Sequence, residues 1–152
     1  MKRSLIFALT LMTMLAAAVV PAFAQDHSRT FTKTEAQINQ SYRVTNPWRR
    51  TLSNVYVDVQ EGQVVISATY TTRHTGPFAV ETTLVPAITN GRVVWTATTV
   101  TRDGVPVSDT LLAQINAQIT SSWLYFWRTN GPAGHVTNIL VADDAISITV
   151  TY

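Results

Sequence analysis

Two stretches of this chain are written in twos. Val55, Val57 and Val59 alternate with Tyr56, Asp58 and Gln60, Glu61-Gly62 turns the chain, and Val64, Ile66, Ala68 and Tyr70 alternate with Val65, Ser67, Thr69 and Thr71. Side chains of a strand point alternately to its two faces, so this spacing predicts a hairpin with one apolar face. Thr75-Gly76-Pro77 breaks it, Phe78 to Val85 gives a third strand, Asn90-Gly91 a tight turn, and Val93 to Thr101 a fourth strand carrying Trp95. The period returns after Gly131-Pro132 and Gly134: Val136 to Val141, a turn at Asp143-Asp144, then Ile146, Ile148 and Val150. Threonine opposite the large apolar residues fits an antiparallel sheet wet on one side.

Helical signals fall elsewhere. Thr32 can cap a short helix, with Glu35 three residues on completing a capping box, and Ile38 and Tyr42 lie on one side of it. The sequon Asn39-Gln40-Ser41 inside this helix is read as chance. Asp103-Gly104-Val105-Pro106 closes the first set of strands, and Ser108 is placed to cap a longer helix with Asp109 at its positive end. At 100° per residue, Leu111, Leu112, Ile115, Ile119, Trp123 and Phe126 form one apolar stripe. Leu124 falls on the far side, and Tyr125 and Trp127 flank the stripe. No charged residue stands between Asp109 and Arg128, so the helix is expected to be enclosed on more than one side.

The resulting order is α-β-β-β-β-α-β-β. It predicts an α+β fold in which a curved antiparallel sheet of about six strands wraps around one long helix, with a short helix at the N-terminal side.

Ahead of all this, Lys2 and Arg3 precede an apolar run from Leu5 to Val20, then Pro21 and the small-residue site Ala22-Phe23-Ala24. That pattern predicts a signal peptide over residues 1–24, cleaved before Gln25, with a retained membrane anchor as its rival. Residues 25–152 are then one secreted or periplasmic domain, long enough to bury about two-thirds of its unfolded surface. Two of the eleven basic residues go with the signal, and the remainder balance the nine acidic ones. Nucleic-acid binding thereby loses its electrostatic argument. The chain has no cysteine, which excludes thiol catalysis, thiolate metal sites and acyl anchoring at a lipoprotein cysteine.

Several short motifs resemble a known group. The start Thr32-x-x-Glu35-x-x-Ile38-Asn39, the turn Asn90-Gly91-Arg92-Val93, the connection Gly104-Val105-Pro106-Val107-Ser108 into Leu111-Leu112, and the closing run from Val136 to Ile146 are similar to bacterial extracytoplasmic LmeA-like and YceB-like proteins. The resemblance implies a tubular lipid-binding (TULIP-like) architecture, with a long helix in a curved sheet and an apolar cavity between them. The small size of this chain and its aromatic run Trp123-Leu124-Tyr125-Phe126-Trp127 depart from that pattern.

Catalytic chemistry finds little support. His27, His74 and His135 are scattered, without the spacing that presents two ligands on one face, so neither a metal nor another cofactor is expected. Asp143 and Asp144 sit where a turn is needed, Asp58 and Glu81 are isolated, and no G-x-S-x-G elbow or glycine-rich phosphate cradle is present. Arg43, Arg49 and Arg50 gather near Trp48, where a solvated patch is the plainer reading and a contact with anionic headgroups the other.

The apolar surplus points to binding. A Trp, Leu or Phe left in water forgoes roughly 1.5–3 kcal/mol of burial. The expectation is a non-enzymatic protein holding a hydrophobic ligand, foremost a lipid, between helix and sheet. Its predicted lining is Tyr70, Phe78, Trp95, Ile119, Trp123, Leu124, Tyr125, Phe126 and Trp127. The alternative is a structural or protein-interaction module of the cell envelope using the same aromatic end as a contact patch. In neither case does a transmembrane span remain after cleavage.

Overall fold

The structure is a computed structural model that describes residues 27–43, 52–71 and 76–152, apart from the side chains of residue 115 and residues 117–121. The expected signal segment, Trp48-Arg49-Arg50 and His74 lie outside the described residues. In chain order the elements are β1 (Ser28–Thr34), α1 (Glu35–Ser41), β2 (Leu52–Gln60), β3 (Gln63–Tyr70), β4 (Phe78–Thr89), β5 (Arg92–Arg102), β6 (Val105–Pro106), α2 (Asp109–Asn130), β7 (His135–Ala142) and β8 (Ala145–Thr151).

The strands read from the alternation are present, but their assembly corrects the expected fold. The chain is mostly β, and its strands form two antiparallel sheets, ordered β1-β8-β7 and β2-β3-β4-β5-β6, instead of one curved sheet around a helix. No sheet encloses α2, which lies against β5. Residues 28–34 pair with β8 from Ser28↔Thr151 to Thr34↔Ala145, while β7 takes the other edge of β8. β8 is thus the central strand of the smaller sheet, with both of its edges paired.

This extra strand also moves the start of the first helix. Thr34, not Thr32, is the N-cap: its hydroxyl accepts from Gln37 N at 3.3 Å, and Gln37 Oε1 accepts from Thr34 N at 3.1 Å. Glu35 is thus free of the capping box, and its carboxylate accepts from Val59 N at 2.9 Å and from the Tyr56 hydroxyl. The carboxylate beside it raises the Tyr56 phenol above its ordinary pKa.

Register explains the core of the larger sheet. Val57 opposes Ile66, Ile66 opposes Thr82 and Thr82 opposes Val100; in the next row Val59 opposes Val64, Val64 opposes Leu84 and Leu84 opposes Ala97. All of these side chains are buried. Between Val100 and Ala97 the strict alternation would put one of the two on the wrong face. A bulge at this point, where Thr83 opposes Thr99 but Leu84 opposes Ala97, restores both to the core. In the smaller sheet a similar shift between Val136 and Asn138 keeps Val136 and Val141 both buried, beside Ile146, Ile148 and Val150.

The two sheets share one core and meet at their turns. Gly62 N donates to Val141 O at 2.9 Å, Asp144 N to Val59 O at 3.0 Å, and Glu61 N to the Asp143 carboxylate at 3.1 Å. At the other junction, Val136 N donates to Gly91 O at 2.9 Å. Asn90 and Gly91 both have positive φ, 51° and 68°, as the favoured two-residue hairpin turn requires. Gly91 is needed twice over, because a Cβ there would run into the His135 ring.

The edges of the larger sheet are covered by side chains from the two helices. Asn39 on α1 donates from Nδ2 to Val57 O at 2.7 Å and accepts from Val57 N at 2.8 Å. Asn116 on α2 does the same for Ala97, at 3.2 and 3.1 Å. Each amide thereby stands in for one rung of a β-ladder at an edge that would otherwise offer bare N–H and C=O groups. The Asn39 nitrogen is engaged in this rung.

Candidate ligand-binding groove

The long helix begins where Ser108 accepts from Leu111 N at 3.4 Å and ends at Gly131, whose N–H donates to Trp127 O at 2.7 Å. Its last turn sorts the aromatic run by helical spacing. Trp123, Phe126 and Trp127, at i, i+3 and i+4, face inward and are 0%, 4% and 9% exposed, whereas Tyr125 is 53% exposed. Leu124 lies between these extremes, partly buried against the core.

The inward rings form a cluster with Tyr42 from the end of α1 and Trp95 from β5. Trp123 is met edge-on by Tyr42, Trp95 and Trp127, with centroids 5.2, 5.4 and 5.9 Å away, and Phe126 stacks on it at 5.6 Å. Edge-to-face contacts set the positive rim of one ring on the negative face of another, the preferred geometry for buried aromatics. Tyr42 shares a 3.2 Å hydrogen bond with buried Ser122, and burial raises its phenol pKa, with the Ser122 bond pulling the other way. The indole N–H groups of Trp95, Trp123 and Trp127 have no hydrogen-bond acceptor among the described residues.

Beside this cluster a half-open groove of about 900 Å³ runs between β5, the end of α2 and the smaller sheet. Val93, Val94 and Trp95 line it from β5, and Leu124, Tyr125 and Trp127 from α2. Val136 and Ile148 line it from β7 and β8, and Gly131-Pro132 from the turn after the helix. Arg92 and Arg128 also line it, and among the described residues no Asp or Glu does. A space of this size, mainly apolar with a few cationic groups, is suited to holding a small amphiphile.

The expected lining residues separate into three groups. Trp95, Leu124, Tyr125 and Trp127 do line the groove. Trp123 and Phe126 are core residues behind it. Tyr70 and Phe78 are cross-strand partners with centroids 5.1 Å apart, near the Arg102 end of the larger sheet, about 20 Å along β5 from Trp95. The Ile119 side chain lies outside the described residues. Residues that sequence reasoning left out include Val136 and Ile148, brought in by long-range pairing, and Arg92, whose only signal is its place after the Asn90-Gly91 turn.

Among the described residues no group of His, Asp or Glu is arranged to hold a metal ion, and no helix is long and apolar enough to cross a membrane. No protein-family model, curated protein or solved structure matches this chain.

Proposed function

We propose that this protein is an exported, non-catalytic binding protein for a hydrophobic ligand, foremost the acyl chain of a lipid, seated in the groove beside Trp127. The observation that carries this reading is the juxtaposition of Leu124, Tyr125 and Trp127 with Val93, Val136 and Ile148 around a half-open space of about 900 Å³. Such side chains gain roughly 25 cal/mol for each Å² of apolar surface an occupant removes from water. The wrapped-helix cavity implied by the likeness to LmeA-like and YceB-like proteins is absent, so the ligand class rests on the groove itself. Export rests on the apolar segment between Lys2 and Ala24.

The contact-patch alternative draws on Tyr125, the one aromatic of the run that faces out. It is weakened by Trp127, which turns inward and is therefore not part of an exposed aromatic patch. Native mass spectrometry of the protein purified after expression of the full sequence, followed by organic extraction, separates the two. Stoichiometric lipid that is lost on Leu124→Gln supports the binding protein; a clean apo mass that stays unchanged with added lipid overturns it.

A further inference from the structure

We propose that the ligand is a single-chain anionic amphiphile, its charged end held by Arg92 and Arg128 while its hydrocarbon chain lies along Trp127 and Leu124. This rests on the groove being a ligand site and adds the chemistry of the ligand's polar end.

The described arginines divide by location. Away from the groove, Arg29 lies over the Phe31 ring at 4.8 Å, Arg102 lies over the Phe78 ring at 3.9 Å, and Arg43 donates to the carbonyls of Asn39 and Tyr42 at 3.2 and 2.7 Å. The side chains of Arg92 and Arg128, the two that line the groove, make no hydrogen bond, ion pair or ring contact among the described residues. Both are exposed, so their charge is available to a ligand without breaking anything in the fold.

Among the described residues no carboxylate lines the groove, so nothing there competes for the two guanidinium charges. A guanidinium presents a planar fork that matches carboxylate and phosphate oxygens, and the charge-assisted bond strengthens beside apolar walls that exclude water.

Head chemistry is tested by titrating laurate, dodecyl phosphate and neutral monolaurin, each below its micelle concentration, into the protein and following tryptophan fluorescence. The wild type is expected to bind at least one of the two anions roughly tenfold more tightly than monolaurin, and which one it prefers identifies the head. Added sodium chloride is expected to weaken the anion and leave monolaurin unchanged. Arg92→Gln with Arg128→Gln is expected to erase the preference while keeping monolaurin affinity. Equal binding of all three probes by the wild type overturns the anionic head and leaves the groove reading standing. Failure of every probe to bind overturns both.

Discussion

Asn39 and Val57 exchange two hydrogen bonds, side-chain amide to backbone, at 2.7 and 2.8 Å. This pairing fastens α1 to the outer edge of β2 and brings Tyr42, just past the helix, under Trp123 and Phe126. Position along the chain, edge protection and the aromatic core are therefore coupled through one amide.

Asn39→Ala is expected to destabilise the fold by about 1–3 kcal/mol, since two partly buried bonds are lost and the Val57 N–H and C=O must be met by water. Asn39→Asp keeps an acceptor for Val57 N but sets a carboxylate oxygen against Val57 O, so it is expected to be no better than alanine near neutral pH. Urea unfolding midpoints of the two variants check this.

Gly91→Ala combines a positive φ with a collision against the His135 ring. The backbone part costs about 1–2 kcal/mol on its own, and the collision adds to it. His135→Ala in the same chain is expected to recover the second part and not the first, a non-additivity that a double-mutant cycle in unfolding free energy measures.

Tyr42 gives the fold an alkaline limit. Its phenol pKa is raised by burial, so the folded chain keeps a proton that the unfolded chain releases near its ordinary value of 10.0. Stability from this group is therefore complete below that value and falls as pH rises towards the higher folded pKa. Tyr42→Phe is expected to lose about 0.5–1.5 kcal/mol at pH 7 with its bond to Ser122, yet to show a shallower decline above pH 10. Denaturant midpoints measured from pH 7 to 11 report both effects.

Trp123 and Tyr125 are two residues apart and have opposite duties. Trp123→Ala is expected to cost about 3–5 kcal/mol, as for a large core aromatic. Tyr125→Ala is expected to leave stability within about 0.5 kcal/mol, as for an exposed position, and to weaken binding of laurate or monolaurin. Thermal unfolding alongside a fluorescence titration of the same variants separates the two roles.

The sequence made its turns and faces legible, and less of its assembly. Glu61-Gly62, Asn90-Gly91, Asp103-Gly104 and Asp143-Asp144 all turn strands where their residue types say they should. Alternation tells which side chains share a face; it carries no information on which strand lies alongside. The stretch Ser28–Thr34 carries no apolar alternation, its only large apolar residue being Phe31, and it becomes a strand by pairing with β8, more than a hundred residues on. That pairing makes β8 the central strand of the smaller sheet. Helical spacing likewise identifies Trp123 and Phe126 as inward-facing, but the groove walls at Val136 and Ile148 depend on how the smaller sheet is placed, and the place of Tyr70 and Phe78 at the far end of the larger sheet depends on strand register.

The central claim is that the space beside Trp127 holds the ligand, and chemical-shift mapping of the isotopically labelled protein with laurate or monolaurin tests it most directly. The account predicts saturable shifts at the Trp127 and Trp95 indole N–H signals and at the backbone of Val93, Val94, Leu124 and Tyr125, with Tyr70 and Phe78 unmoved. Shifts centred on Tyr70 and Phe78, or none at saturating probe, would contradict it.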